Sequence, residues 1–473
     1  MAPTVPIGGR GSRRVLVLTG DRVGPAMAGP AIRAWELARV LAGDGHRVVV
    51  ATPWLDDTLP SGGEGITCVT GWGDSLRSLV AETDVVVGMT GVLHEHGWLA
   101  DTKRRRANAA DPLWVVADAY DPVLFEVLAG DGALGAAERS LRAQDASARM
   151  CDALWWVDLV LCATENQRHL LLGVLAAWGR IGPVAWDDDA RLRTAVAVVP
   201  FGLPAEPPSV AAGDPHPLSG PGGPFATGDR ILLWGGGLWD WLDPVTLVSA
   251  VARCADPTVK VFFMAGAHPT PSVPEMDMVA ATRRAAAQQG LDEHGTDQVR
   301  FADDWIGYGE RAGYLTDATI GVSLAPDHAE SVFAYRTRVL DYLWASLPVL
   351  HSAPSGIHDD LAALIRAHDL GVVVVPGDVD GCVAAIGQLI RPDWYADARS
   401  RIAEVAQTLT WPTVSRPLRD FCTEPRTLLS EPPSSRPRPG ASHTKRSIAR
   451  RVWSSLRGSG AAPAVGDGVE VVG

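Results

Sequence analysis

Short, β-rich apolar runs bounded by turn residues recur along this chain and alternate with longer stretches of helical period. The first run, RVLVLTG from Arg14, passes through a glycine loop into AIRAWELARVLAGDGHRVVVATP. That order predicts a strand, an amphipathic helix stopped by glycine, and a second buried strand, which together make one βαβ unit. Further runs at DVVVGM, LWVVADAY, DLVLCAT and AVAVVPFG predict a parallel sheet over 14–203, covered by helices on both faces. Residues 204–229 are too rich in Pro and Gly for a regular element and read as a linker. The pattern then restarts with RILLWGGG, VKVFFMAGA, QVRFADD, ATIGVSLAP, LPVLHSA and LGVVVVPG, predicting a second doubly wound domain over 230–390. Helical stretches over 391–424 are expected to cross back to the first domain. A flexible arm over 1–13 and a disordered tail over 425–473 complete the expectation. The fold class is therefore α/β, with two doubly wound Rossmann-like domains facing a cleft.

Composition narrows the class. A chain of 473 residues exceeds the size of one hydrophobic core, and 47% hydrophobic with 21% charged residues is ordinary for a globular protein. The net charge of -13 repels a phosphate backbone, so no nucleic-acid partner is expected. Six scattered cysteines without a CxxC pair argue against zinc and against a disulfide framework. The apolar stretch Val15–Leu18 is too short for a signal peptide and no run reaches membrane-spanning length, so a cytoplasmic location is expected. Within 444–458, Ile448, Val452, Trp453 and Leu456 share one helical face with arginines elsewhere. This segment reads as a solvated basic tail or as a weak contact with the inner membrane surface.

The densest chemistry lies in HAESVFAYRTRVLDYLWASLPVL, from His328 to Leu350. If VLDYLWA is helical, Arg336, Thr337 and Arg338 sit together at its start. Free amides and two guanidinium groups there suit a diphosphate, and Asp341 in the first turns suits ribose hydroxyls. The plainer reading is an acid–arginine network that only stabilises a helix. Gly235, Gly236 and Gly237 follow the strand RILLW, where bare backbone either admits a ligand or makes a tight turn. Trp239 and Trp241 are candidates for stacking on a base or sugar, or for the core. In the first domain, the loop GPAMAGPAIR carries Gly29 and Arg33 at a sheet edge, while LWVVADAY brings Asp118, Tyr120 and Asp121 to the same edge. His94 and His96 follow another strand.

From Glu330 through Asp341 to ASLPVL, the chain resembles the glycosyltransferase family 4 signature of the GT-B fold. RTRVLDYLWASLPV, DAYDP, LCATENQR, VVPFGLP and WGGGLWDWLDP are similar to a bacterial subgroup of that family. The resemblance spans about residues 14–420. It implies a nucleoside diphosphate sugar as donor, a glycan, lipid-linked or small-molecule hydroxyl as acceptor, and transfer with retention. It also implies polysaccharide, glycolipid or secondary-metabolite assembly as the setting, with no metal and no cofactor. Asp341 then holds the ribose, Glu330 contacts the transferred sugar, and Arg336 and Arg338 face the phosphates. Gly29 serves the phosphate or the acceptor, and Asp118 orients an acceptor hydroxyl or supports the sugar, with Arg33, Tyr120, Asp121 and His94 beside it. Two departures stand out. Ten residues separate Glu330 from Asp341, more than in the family pattern, so the first acid is either Glu330 or Asp327. The basic pair that follows the first strand of the second domain is absent from WGGGLWDWLDP, which shifts weight to the RTR arginines. An epimerase or phosphorylase on the same fold, or a silent nucleotide-sugar-binding module, are the competing readings.

Overall fold

Valine-rich runs that are apolar on both faces belong inside a sheet covered on both sides, and here they form two such sheets. The computed structural model describes residues 11–209, 216–264, 268–270, 273, 276–432 and 470–472. In chain order the strands are β1 (Arg14–Leu18), β2 (Arg47–Thr52), β3 (Ile66–Thr70), β4 (Val85–Met89), β5 (Trp114–Asp118), β6 (Leu159–Cys162) and β7 (Val196–Val198), then β8 (Arg230–Trp234), β9 (Val259–Phe263), β10 (Val299–Phe301), β11 (Ile320–Ser323), β12 (Val349–Ser352) and β13 (Gly371–Val374), and last β14 (Glu470–Val472). Two compact units contain them. One comprises 1–121, 140–200 and 414–473, and the other 122–139 and 201–413.

The first unit holds a sheet of order β14-β3-β2-β1-β4-β5-β6-β7, in which β1 to β7 run parallel and β14 pairs antiparallel with β3. Leu16 and Leu18 of β1, Val86 of β4 and Val115 of β5 form its core with Leu154, Val157 and Leu175. The helix Gly29–Gly43 returns the chain from β1 to β2; Pro30 near its start fits a position whose N–H has no helical acceptor. The second unit holds the order β10-β9-β8-β11-β12-β13, all parallel. Its core is built from Leu232, Trp234, Val261, Phe263, Val322 and Leu350. In both sheets the first strand of the unit is central and the order reverses beside it, the arrangement that brings ligand-binding loops to the carboxyl edge.

Several boundaries differ from the expectation. The segment 122–139 packs with the second unit, where Phe125 stacks on Phe333 at 4.9 Å. Part of the Pro/Gly-rich linker is folded into that unit as well. Leu218 and Phe225 are buried, and Asp317 accepts hydrogen bonds from the Leu218 and Ser219 amides and the Ser219 hydroxyl. The start of the tail is ordered too. Leu428 and Leu429 join the core of the first unit, Thr427 bonds Asp158, and the Arg180 guanidinium donates to the Ser430 carbonyl. Composition missed this because two leucines and two polar contacts suffice to hold a short strap. Residues 444–458 lie outside the described residues. Among the described residues no helix is long and apolar enough to cross a membrane.

Candidate active site

In the second unit, β8 ends at Trp234 and opens into Gly235–Gly237. The Gly235 amide donates to the Tyr342 hydroxyl at 2.7 Å, and that hydroxyl donates to the Val322 carbonyl at 2.9 Å. Burial pushes the Tyr342 phenol up to about 12, so it stays protonated and the turn stays pinned. Gly236 has φ +74°, a backbone that a side chain disfavours. Opposite the turn, Arg338 donates from Nη2 to the Gly237 carbonyl at 3.0 Å, and its guanidinium lies over the Trp234 ring at 4.7 Å. Its Nη1 is shielded from solvent and has no hydrogen-bond partner among the described residues. Burial lowers the Arg338 pKa to about 10, with a smaller contribution from Arg336. The group remains charged at neutral pH, and an anion beside Nη1 would repay its lost hydration.

Helix Arg338–Trp344 presents less free backbone than the sequence suggests. The Val339 and Leu340 amides donate to the Arg336 and Thr337 carbonyls, and Thr337 sits at the N-cap without a side-chain cap. Two of the helix-end amides are thus taken up internally. Arg336 also departs from its expected place. Nη1 and Nη2 grip Glu330 at 2.8 and 2.6 Å, with Nη2 also 3.2 Å from the Ser331 hydroxyl. Glu330 and Arg336 are both buried, whereas Asp327, the other candidate first acid, is exposed. An arginine so engaged holds a carboxylate through both of its oxygens. Asp341 is half-exposed and accepts from Arg311 Nε at 3.2 Å. No sequence motif marked Arg311, which lies thirty positions upstream. Trp239 and Trp241 stack on each other at 5.2 Å and 5°, with His268 5.6 Å from Trp239. Both tryptophans are half-buried.

In the first unit, Arg33 and Asp118 meet, although 85 positions separate them. Nε and Nη2 of Arg33 reach the two carboxylate oxygens at 2.6 and 2.9 Å. The remaining donors reach the carbonyls of Val199 and Pro200, and the Tyr120 ring lies 4.8 Å from the guanidinium. Both side chains are buried, at 1% and 6% exposure. Arg33 is thus a buried cation at the sheet edge, and Asp118 is clamped by it on both carboxylate oxygens. Asp121 has the more reactive setting: burial, then the charges of Asp118 and Asp21, raise its pKa to about 7. Gly29 opens the helix Gly29–Gly43, and a Cβ built there would meet nothing within 4 Å. His94 pairs with Asp152 at 3.0 Å, and burial, aided by Arg77, pushes neighbouring His96 down to about 4, which makes it a neutral histidine against Trp72.

No family model and no curated protein matches the chain. Solved structures do. Sucrose-phosphate synthase from Thermosynechococcus elongatus aligns with TM-score 0.58 at 15% identity, over 86% of this chain and 98% of that one. WaaG, a glycosyltransferase involved in lipopolysaccharide biosynthesis, aligns with TM-score 0.56 at 15% identity, over 87% and 100%. HepE of Anabaena, solved in complex with UDP and glucose, aligns with TM-score 0.54 at 14% identity, over 86% and 99%. At such identities the likeness speaks to architecture, and with the two parallel sheets described above it establishes that this chain has the GT-B fold.

Proposed function

We propose that this protein transfers a glycosyl group from a nucleoside diphosphate sugar to an acceptor hydroxyl, with retention at the anomeric carbon. One observation carries the reading: the shielded Nη1 of Arg338, without a hydrogen-bond partner among the described residues, beside the glycine turn Gly235–Gly237, with Asp341 on the same short helix. In this reading the diphosphate lies against Gly236 and Gly237 and takes Arg338 Nη1. Asp341 accepts from the ribose hydroxyls. Glu330, held by Arg336, accepts from hydroxyls of the transferred sugar. As the glycosidic bond lengthens, the sugar gains oxocarbenium character and the diphosphate gains negative charge, which the Arg338 guanidinium stabilises. Because that charge falls on a guanidinium, activity insensitive to chelators is the expected outcome. On the acceptor side, Asp121 is the group whose proton affinity suits exchange near neutral pH, with Tyr120 beside it and Gly29 elsewhere in the same unit. Family resemblance supports retention, and a glycan, lipid-linked or small-molecule acceptor at the cytoplasmic side.

The engagement of Glu330 by Arg336 favours a second reading, a module that binds nucleotide sugars without transferring them. One experiment separates the two. The protein is melted with a panel of nucleoside diphosphate sugars, and those that bind are then incubated with acceptor extracts. Binding at roughly a hundred times Kd should add about 2.7 kcal/mol. Stabilisation with neither transfer nor donor hydrolysis selects the silent module, and no stabilisation by any donor removes both readings.

A further inference from the structure

Arg311 occupies a position that no motif marked. It opens the helix Arg311–Asp317, and its guanidinium carbon lies 3.7 Å from the Tyr308 ring centroid and 4.6 Å from that of Trp344. Two aromatic faces thus hold one planar cation. The Trp344 indole is fixed in turn, donating from Nε1 to the Glu206 carbonyl at 2.6 Å. Arg311 Nη1 donates to the Tyr308 carbonyl, which closes the remaining rotation, and Nε faces Asp341 Oδ1. The side chain is 11% exposed while that of Asp341 is 41% exposed. A buried, clamped donor therefore holds one oxygen of a carboxylate whose other face meets solvent.

We infer that Arg311 is a positioning residue that fixes the Asp341 carboxylate for two adjacent hydroxyls, and so makes the site select ribonucleotides over 2′-deoxyribonucleotides. The inference rests on the donor reading above. A ribose offers a pair of donors that one fixed carboxylate can accept together, and a deoxyribose offers one. A carboxylate free to rotate follows either sugar, losing the difference. Arg311 also adds positive charge, but a charge acts on both nucleotides alike, so the ratio of their affinities reports orientation alone.

The test is calorimetric titration of the full chain with UDP and 2′-deoxy-UDP, repeated with the adenosine and guanosine pairs. Losing one hydrogen bond to a fixed carboxylate predicts about tenfold tighter binding of the ribonucleotide. In Arg311→Ala both affinities should drop and their ratio fall toward one. In Arg311→Lys, which keeps the charge without the planar stack, the ratio should fall while overall affinity is largely retained. Ligand-free melting of each variant identifies any loss of fold, and Arg311→Lys serves if Arg311→Ala does not fold. A ratio unchanged in the variants, or absent in the unaltered chain, overturns the inference while the donor reading stands. Failure of every ribonucleotide to bind overturns both.

Discussion

Glu330 and Arg336 hold each other through two hydrogen bonds, and neither side chain exceeds 8% exposure. Removing one partner leaves the other charged and dry. Arg336→Met should destabilise the fold by about 3–5 kcal/mol, whereas the double substitution Glu330→Gln/Arg336→Met should recover most of that loss. Chemical denaturation of the three variants checks this, and a double variant no more stable than Arg336→Met would count against the pairing.

Arg338 offers a different outcome because its Nη1 has no hydrogen-bond partner among the described residues. Arg338→Ala should abolish the melting shift produced by nucleoside diphosphates, and Arg338→Lys should keep only part of it, since an ammonium lacks the planar donor. A full shift in Arg338→Ala would remove the phosphate role.

Asp121 predicts a pH dependence. Burial first, then Asp118 and Asp21, raise its pKa to about 7, above the value of about 4 in an unfolded chain. The folded state therefore binds this proton more tightly, so the contribution of Asp121 to stability declines as pH rises from about 4 to about 7 and levels above that. Asp121→Asn should show a smaller drop in melting temperature between pH 5 and pH 8 than the unaltered chain. An equal drop in both would refute the raised pKa.

Ser346 ends the helix Arg338–Trp344 at φ +56°, while the Leu347 amide bonds the Tyr342 carbonyl and the Ser346 amide bonds that of Leu343. This paired closure usually carries glycine at its left-handed residue. Ser346→Gly should therefore raise stability by about 0.5–1 kcal/mol, measurable as a higher melting temperature. A lower one would mean that the serine side chain contributes something the backbone does not.

Most of the two sheets was readable from apolar runs, because strands buried on both faces need no alternation to be seen. DVVVGM became β4 and LGVVVVPG became β13. Ile66–Thr70 went unnoticed because Thr67 is exposed and Thr70 half-buried in an otherwise buried strand, so the segment lacks a continuous apolar run. At the site, Arg338 and the glycine turn, each singled out from its local sequence, lie within hydrogen-bond reach of each other in the fold. Pairings across long separations were not readable. Nothing in the neighbourhood of Arg33 announces Asp118, and nothing around Arg311 announces Asp341. These contacts are set by which strand lies beside which, and in a parallel sheet that order is decided by crossovers rather than by the residues that finally touch.

The strap at 425–430 and the helix Arg416–Thr423, whose Arg419 grips Asp44, belong to the first unit, yet they are synthesised after the whole stretch Phe201–Thr413. On a ribosome adding about 5–20 residues per second, the first sheet would wait roughly ten to forty seconds for its last core leucines. Until Leu428 and Leu429 emerge, the core cluster that includes Leu154 and Val157 lacks two of its buried leucines. Nascent chains of this protein should accordingly remain sensitive to proteases, and attractive to chaperones, until the segment 425–430 has emerged.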